Sequence, residues 1–431
     1  MRVFKKLSIA IVILSLCASC SSIQSQETSA KKGWIAAWAS SQQLTERNNN
    51  PPATLTNSTL RQTVYVTLGG SKMRIQFSNK YGNSPVEIKA ANVAKSKGTG
   101  SSEIDTSTDK ALSFNGSPSV TIPTGEEVYS DPLDFEVEAL STLAVSIYFG
   151  ETSPNVTGHP GSRTTSYIKE GNLVSAASIE SAATTEHWYN LSMIDLWLDD
   201  SYACVVTLGD SITDGRGCTT NMDNRWPDFL ARRLQANPET AKIGLLNHGV
   251  GGNTMTTGGL GVPVSQRFEH DVLDPCGVKW VIVLEGVNDI GNSGGFGGFG
   301  GFGRGGNRGG MTRGGNAGGG NVPDKADQVI AVYEQIIEQA HAKGIKIYGS
   351  PILPFMGSQY RNEEGRQKIN EWIRTSGKFD AVIDMDAAVR DPEDPTRLKA
   401  EYDSGDHLHL NPAGFQKMVE AIDLSLFKMT D

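Results

Sequence analysis

The sequence predicts two folded units in series. The first is an all-β sandwich or jelly-roll-like domain over residues 34–200; the second is a three-layer α/β domain over residues 201–431, with helices on both faces of a parallel sheet. Three observations predict this. Before residue 200 the chain runs in short alternating segments broken by turn residues, without a convincing helix. After Tyr202 it changes to a repeat of strand, loop and helix. Its 431 residues also exceed the usual size of one hydrophobic core.

The chain opens on Arg2, Lys5 and Lys6, followed by an apolar run from Leu7 to Leu16 that is too short to span a bilayer. Ala18-Ser19-Cys20 ends that run, and two small residues before a cysteine resemble a bacterial lipoprotein processing site. An ordinary signal peptide cut nearby is the alternative. The expectation is a signal peptide over 1–19, lipid on Cys20 and a Ser-, Gln-, Thr- and Lys-rich tether over 20–33. Such a protein is exported and membrane-anchored in the cell envelope, facing either the periplasm or the surface.

In the first unit, Thr63–Leu68, Lys72–Phe77 and Leu143–Phe149 alternate as strands, and Gly69-Gly70, Tyr81-Gly82-Asn83 and Pro123-Thr124-Gly125 mark turns. In the second, Ala203–Leu208, Ile243–Leu246, Trp280–Leu284, Ile345–Tyr348 and Ala381–Ile383 are apolar enough for strands buried on both faces. Helices are predicted from Pro227, along the face of Ala326, Val329, Tyr333, Ile336 and Ala340, over 363–375, and from Pro412 to near Leu426. The segment 291–321 breaks this alternation. It is largely glycine, with Phe296, Phe299 and Phe302, the cations Arg304, Arg308 and Arg313, and no acidic residue. Its Gly295-Phe296-Gly297-Gly298-Phe299-Gly300 fits a dinucleotide-binding pattern in form, but repeated Gly-Gly-Phe produces that by composition and no helix follows directly; a surface loop is the expectation.

A net charge of -9 gives no electrostatic reason to expect a nucleic-acid partner. Of the five cysteines, Cys17 leaves with the signal and Cys20 takes lipid. Cys204, Cys218 and Cys276 remain, an odd number that allows at most one disulfide and leaves a Cys218–Cys276 pair open. Cys204 fits a buried small apolar residue. The cysteine and histidine spacings do not suggest zinc, and neither a metal nor an organic cofactor is expected.

Leu208-Gly209-Asp210-Ser211-Ile212-Thr213-Asp214 follows directly on a predicted parallel strand, and in such sheets ligands bind beyond the carboxyl ends of strands. Ser211 is therefore a candidate nucleophile, with a helix cap as the simpler reading. Near the C-terminus, Asp406-His407-Leu408-His409 stands before the last helix. An imidazole there can take a serine proton while a carboxylate fixes its tautomer. The simpler reading is a polar loop whose Asp caps that helix. Two further loops after strands, Asn247–Thr254 and Glu285–Asp289, offer glycine N–H groups and the Asn288 amide as oxyanion donors, although Gly249 and Gly251 fit ordinary turns.

Together these blocks, in the order Ser, Gly, Asn, Asp-x-x-His, resemble the SGNH or GDSL-type serine hydrolase superfamily over about residues 200–431. The resemblance implies an SGNH hydrolase domain in which Ser211 is the nucleophile and, through its N–H, the first oxyanion donor. Gly252 before Asn253 would be the second donor, Asn288 the third, His409 the base and Asp406 its orienting carboxylate; Asp406 lies three residues before His409, which is the family's spacing, so the resemblance makes His407 the decoy. The preceding β domain is similar in placement to that of two-domain bacterial carbohydrate esterases. The implied activity is removal of acyl groups, O-acetyl above all, from a polysaccharide or oligosaccharide through an acyl-enzyme, with acylated carbohydrate or another ester as partner. A lipase-like or lysophospholipase-like acylhydrolase is the alternative within this chemistry. A surface glycan-binding lipoprotein with an inactive hydrolase domain is the alternative outside it, and the complete set of five residues argues against that.

Overall fold

The computed structural model describes residues 31–291 and 324–429. Cys20, the signal and tether up to residue 30, and residues 292–321 of the Gly-rich insertion lie outside the described residues.

Residues 32–199 form antiparallel sheets. One runs Lys32–Ala39, Leu191–Asp199, Gly70–Ser78 and Glu127–Tyr129 in spatial order; another is centred on Ser58–Val66, Ser141–Phe149 and Val86–Lys95. Alternate residues of both sheets meet in one core, Ile75 and Phe77 from the first and Leu60, Val64, Val145 and Ile147 from the second. The period-two pattern in the sequence thus places one face of each strand inside. Helical structure in this unit is confined to the single turns Arg47–Asn49 and Thr106–Thr108. A small sheet pairs Thr157–His159 with Gln43–Leu44 and Trp188–Tyr189.

The second unit holds a five-stranded parallel sheet of β1 (Ala203–Gly209), β2 (Ile243–Gly249), β3 (Val278–Leu284), β4 (Lys346–Gly349) and β5 (Ala381–Val382), in the order β2-β1-β3-β4-β5. Alternate β1 residues enter different cores. Cys204, Val206 and Leu208 pack with the helix Lys325–Ala342, while Ala203 and Val205 pack with Trp226–Ala236 and Pro412–Glu420. Burial on both faces explains why these strands read as continuous apolar runs. After β1 the chain lays β2 on one side and then crosses to lay β3 on the other, so β1 is the strand where the winding reverses and a crevice opens at its carboxyl end.

The last helix is shorter than its sequence pattern predicts, ending at Glu420. Asp423 accepts a hydrogen bond from the Ser425 N–H, and the chain closes on the turn Leu424–Phe427 instead. All three described cysteines are free, so Cys218 and Cys276 are not joined. Cys204 is fully buried, with its thiol 3.5 Å from the Cys276 carbonyl.

The two units are packed through a shared core rather than tethered. Ala36, Ala39 and Met193 of the β unit sit among the side chains behind the parallel sheet. Thr67 Oγ1 lies 2.9 Å from the Ala37 carbonyl and accepts from the Leu245 N–H at 2.9 Å, and Ser40 bridges to Asn247 at the end of β2.

Candidate active site

β1 ends at Gly209 and the chain turns at once into the one-turn helix Ser211–Asp214. That turn needs room: a Cβ on Gly209 would lie 2.4 Å from the Leu284 carbonyl, and one on Gly249 would lie 2.1 Å from the Asp214 nitrogen. Gly249 is therefore a close approach rather than an ordinary turn. Asp210 caps the helix, its carboxylate accepting from the Ile212 N–H at 2.9 Å. The capping role that would have explained a serine here is filled by Asp210, and the Ser211 hydroxyl is free for another use. Burial pushes the Asp210 carboxyl up to about 7.

Ser211 Oγ lies 2.8 Å from His409 Nε2, and His409 Nδ1 lies 2.7 Å from Asp406 Oδ2. Asp406 also accepts the backbone N–H groups of Leu408 and His409. Burial works against the Asp406 carboxylate, but the hydrogen bonds from the His409 ring and backbone outweigh it and hold the group well below the usual carboxylate range. An ionised carboxylate only accepts, so Nδ1 carries the imidazole proton and Nε2 faces the hydroxyl as acceptor. Asp406 does not cap the last helix; Asn411 does, accepting from the Gly414 N–H at 3.0 Å. His407 turns away with a left-handed backbone and pairs with Asp403 at 2.5 Å.

The oxyanion-donor candidates come from the ends of β2 and β3. Gly252 adopts φ 70, and the turn around it uses the Gly252 carbonyl and the Asn253 N–H. Ser211 opens its helix, so its N–H has no acceptor within the helix. The Asn288 amide nitrogen donates to the Asn253 carbonyl at 2.7 Å, while its oxygen accepts from the Tyr360 hydroxyl at 2.7 Å. Burial pushes the Tyr360 phenol up to about 12, so it stays a donor. Asp289 ties this loop to the neighbouring one through the N–H groups of Met255 and Thr256. Arg267, buried, reaches the Gly209 and His248 carbonyls, Asn253 and Asp271.

Ser211, Gly252, Asn288, Asp406 and His409 all line one cavity of about 660 Å³. Sequence reasoning missed Tyr360, Asp289 and Arg267. It also missed the other wall, which belongs to the β unit. There His159 Nε2 meets the buried Asp214 at 3.0 Å, its Nδ1 meets the Ser41 carbonyl at 2.8 Å, and its ring stacks on Trp188. A histidine in a β run far from the motif blocks carries no local signal of this contact.

Residues 207–417 match the model of the GDSL-like lipase/acylhydrolase family. The chain has no match among curated protein sequences. Among solved structures, a putative lipolytic protein of the G-D-S-L family from Desulfitobacterium hafniense DCB-2 is 20% identical over 51% of this chain and 97% of its own, with a TM-score of 0.36. A catalytic mutant of the acetylxylan esterase Axe2 from Geobacillus stearothermophilus is 18% identical over 51% and 91%, at 0.35. A family two carbohydrate esterase from Cellvibrio japonicus is 12% identical over 92% and 97%, at 0.34. By its match to that family model, the segment 207–417 is a GDSL-like lipase/acylhydrolase domain, set behind a strand-rich N-terminal region.

Proposed function

We propose that this protein is a serine esterase that removes short acyl groups, acetyl above all, from a polysaccharide or its oligomers. The observation that carries this reading is the unbroken chain from Ser211 through His409 to Asp406, at 2.8 and 2.7 Å, opening into a cavity. In this reading Ser211 Oγ attacks the ester carbonyl as its proton passes to His409 Nε2, and ionised Asp406 stabilises the imidazolium. The oxyanion is received by the N–H groups of Ser211 and Gly252 and the Asn288 amide. His409 returns the proton to the departing alcohol, and water, deprotonated by the same imidazole, releases the acyl group.

The cavity lining supports a short acyl group. Among the described residues its apolar side chains are Pro160, Leu260, Leu408 and the ring of Tyr360, beside many polar ones. A long acyl chain gains about 0.8 kcal/mol per methylene only where apolar surface buries it. Activity on p-nitrophenyl esters is expected to peak at acetate or propionate and to fall steeply by octanoate, with acetate released from an acetylated plant polysaccharide. A maximum at eight or more carbons without release of acetate points to a lipid acylhydrolase instead. Ser211→Ala and His409→Ala are each expected to lower turnover about 10⁴-fold or more, since nucleophile and base act as a unit, whereas His407→Ala changes it little. Export and a lipid anchor on Cys20 belong to the same proposal: a palmitate analogue is expected to label the wild type and not Cys20→Ala.

A further inference from the structure

The wall that the β unit lends to the cavity carries a charge without a partner. After the short strand Thr157–His159 the chain passes Pro160 and Gly161, the latter pressed so close to the Asp214 carboxylate that a Cβ would stand 1.9 Å from Oδ2. Arg163 follows, also lining the cavity, with φ 51. A left-handed backbone is uncommon for arginine. It is held here from two sides: the Arg163 carbonyl accepts the Asn221 N–H at 3.0 Å, and the Asn221 side chain accepts the Thr165 N–H at 2.8 Å. The preceding carbonyl, of Ser162, accepts from the buried Arg225.

Among the described residues of the lining, the other charged groups have closer partners or, like Arg216, stand largely in solvent. Glu46 accepts from Gln43 and Asn49, Asp214 is met by His159, and Asp406 is met by His409, with Arg216 at 4.0 Å from it. His187 bonds the Pro160 carbonyl. Arg163 has neither a side-chain hydrogen bond nor an ion pair among the described residues, and its Nε is buried without a partner. A guanidinium cannot shed its charge, and the buried Nε has lost water without gaining a partner while the half-buried head stays open to the cavity. Backbone held in rarely adopted conformations clusters at ligand sites, and Arg163 combines it with an unpaired charge facing the cavity.

We propose that Arg163 binds a carboxylate on the alcohol half of the ester, so that the preferred substrate is an acyl ester of a uronic acid residue rather than of a neutral sugar. The proposal rests on the esterase reading of Ser211. Gly252 and Asn288, which receive the acyl carbonyl in that reading, lie on the hydrolase side, with Leu260 packed beside Gly252. Arg163 stands on the wall made by the other unit, where the alcohol half is left to sit. The two terminal nitrogens of a guanidinium match a planar carboxylate in a fork, and a charge-assisted pair of this kind corresponds to about a 10- to 100-fold preference.

The test compares O-acetylated methyl galacturonoside, O-acetylated methyl galactoside and an O-acetylated galactoside sulfate as substrates of the full chain. The wild type is expected to favour the uronate over the neutral ester about 10-fold or more in kcat/KM. Arg163→Ala and Arg163→Gln are expected to bring that ratio near one, with Arg163→Lys retaining part of it. A wild-type ratio of one, a ratio indifferent to both neutral variants, or a preference for the sulfate overturns the proposal, and any of these leaves the esterase reading standing. Calorimetric binding of unacetylated methyl galacturonoside separates the two claims further. Binding lost in Arg163→Ala by a chain that hydrolyses none of the esters keeps the carboxylate site and removes the esterase. Absence of binding by the wild type removes the site.

Discussion

Asn288 is held at both ends of its amide, by the Tyr360 hydroxyl on the oxygen and the Asn253 carbonyl on the nitrogen. One N–H is left to face the cavity in the direction those two bonds dictate. Asn288→Ala is expected to lower kcat about 10²- to 10³-fold with a smaller change in KM, because an oxyanion donor is used only toward the transition state. Tyr360→Phe keeps the donor but frees its orientation, and a loss in kcat of about 10-fold is expected, from one net hydrogen bond; steady-state kinetics on p-nitrophenyl acetate reads both. A pure KM effect from Asn288→Ala assigns that residue to substrate binding instead. That Ser211, Gly252, Asn288, Asp406 and His409 belong together at one cavity was legible in the sequence, because each stands in a short block of residue types suited to one chemistry. Tyr360 and His159 were not, because each acts on a residue far away in the chain and neither stands in a recurring local pattern.

Elements were legible for the same physical reason that they form. Burial on both faces gives β1 to β3 their unbroken apolar runs, and the one-sided burial of Lys325–Ala342 gives its helical spacing. What the sequence left open was how closely elements approach. Gly249 and Gly251 look alike in Gly249-Val250-Gly251-Gly252, yet a Cβ on Gly249 meets Asp214 and Thr213 backbone at 2.1 and 2.6 Å, whereas one on Gly251 meets only a carboxylate oxygen at 3.4 Å. Backbone on both sides cannot give way without moving the helix that carries Ser211. Gly249→Ala is therefore expected to lower the melting temperature by several degrees, from an overpacking cost of about 1–3 kcal/mol, and to lower kcat with it. Gly251→Ala is expected to do little to either; equal effects from the two indicate that the approach relaxes more easily than its geometry implies.

At the scale of the whole molecule, the sequence pointed to two units but not to their joint. A β unit that only holds polymer could be removed with little effect on a small ester; instead it supplies Ala36, Ala39 and Met193 to the core behind the parallel sheet and His159 to the cavity wall. Residues 201–431 alone are expected to lack cooperative unfolding and to lose activity on p-nitrophenyl acetate as fully as on polymer. The joint also contains an ionic relay. His270 of the hydrolase unit lies 2.9 Å from Glu127 of the β unit and 2.8 Å from Asp271, which in turn meets Arg267 and Ser41. Burial lowers the His270 imidazole, but its bonds to Asp271 and Glu127 outweigh that and raise it to about 10. Burial likewise works against Glu127, and its bond to His270 outweighs it and lowers the carboxyl. The two signs differ. A raised imidazole contributes stability that is complete below its unfolded value of about 6.5 and is lost as pH rises toward 10; a lowered carboxyl contributes stability that is complete above about 4.3 and is lost as pH falls. The pair therefore stabilises the joint most between those two values. In denaturant unfolding the wild type is expected to lose stability steadily from pH 7 to 10. His270→Gln, which keeps a donor but cannot titrate, is expected to start lower at pH 7 and to decline less over the same range. Parallel declines in the two proteins place the alkaline loss elsewhere in the molecule.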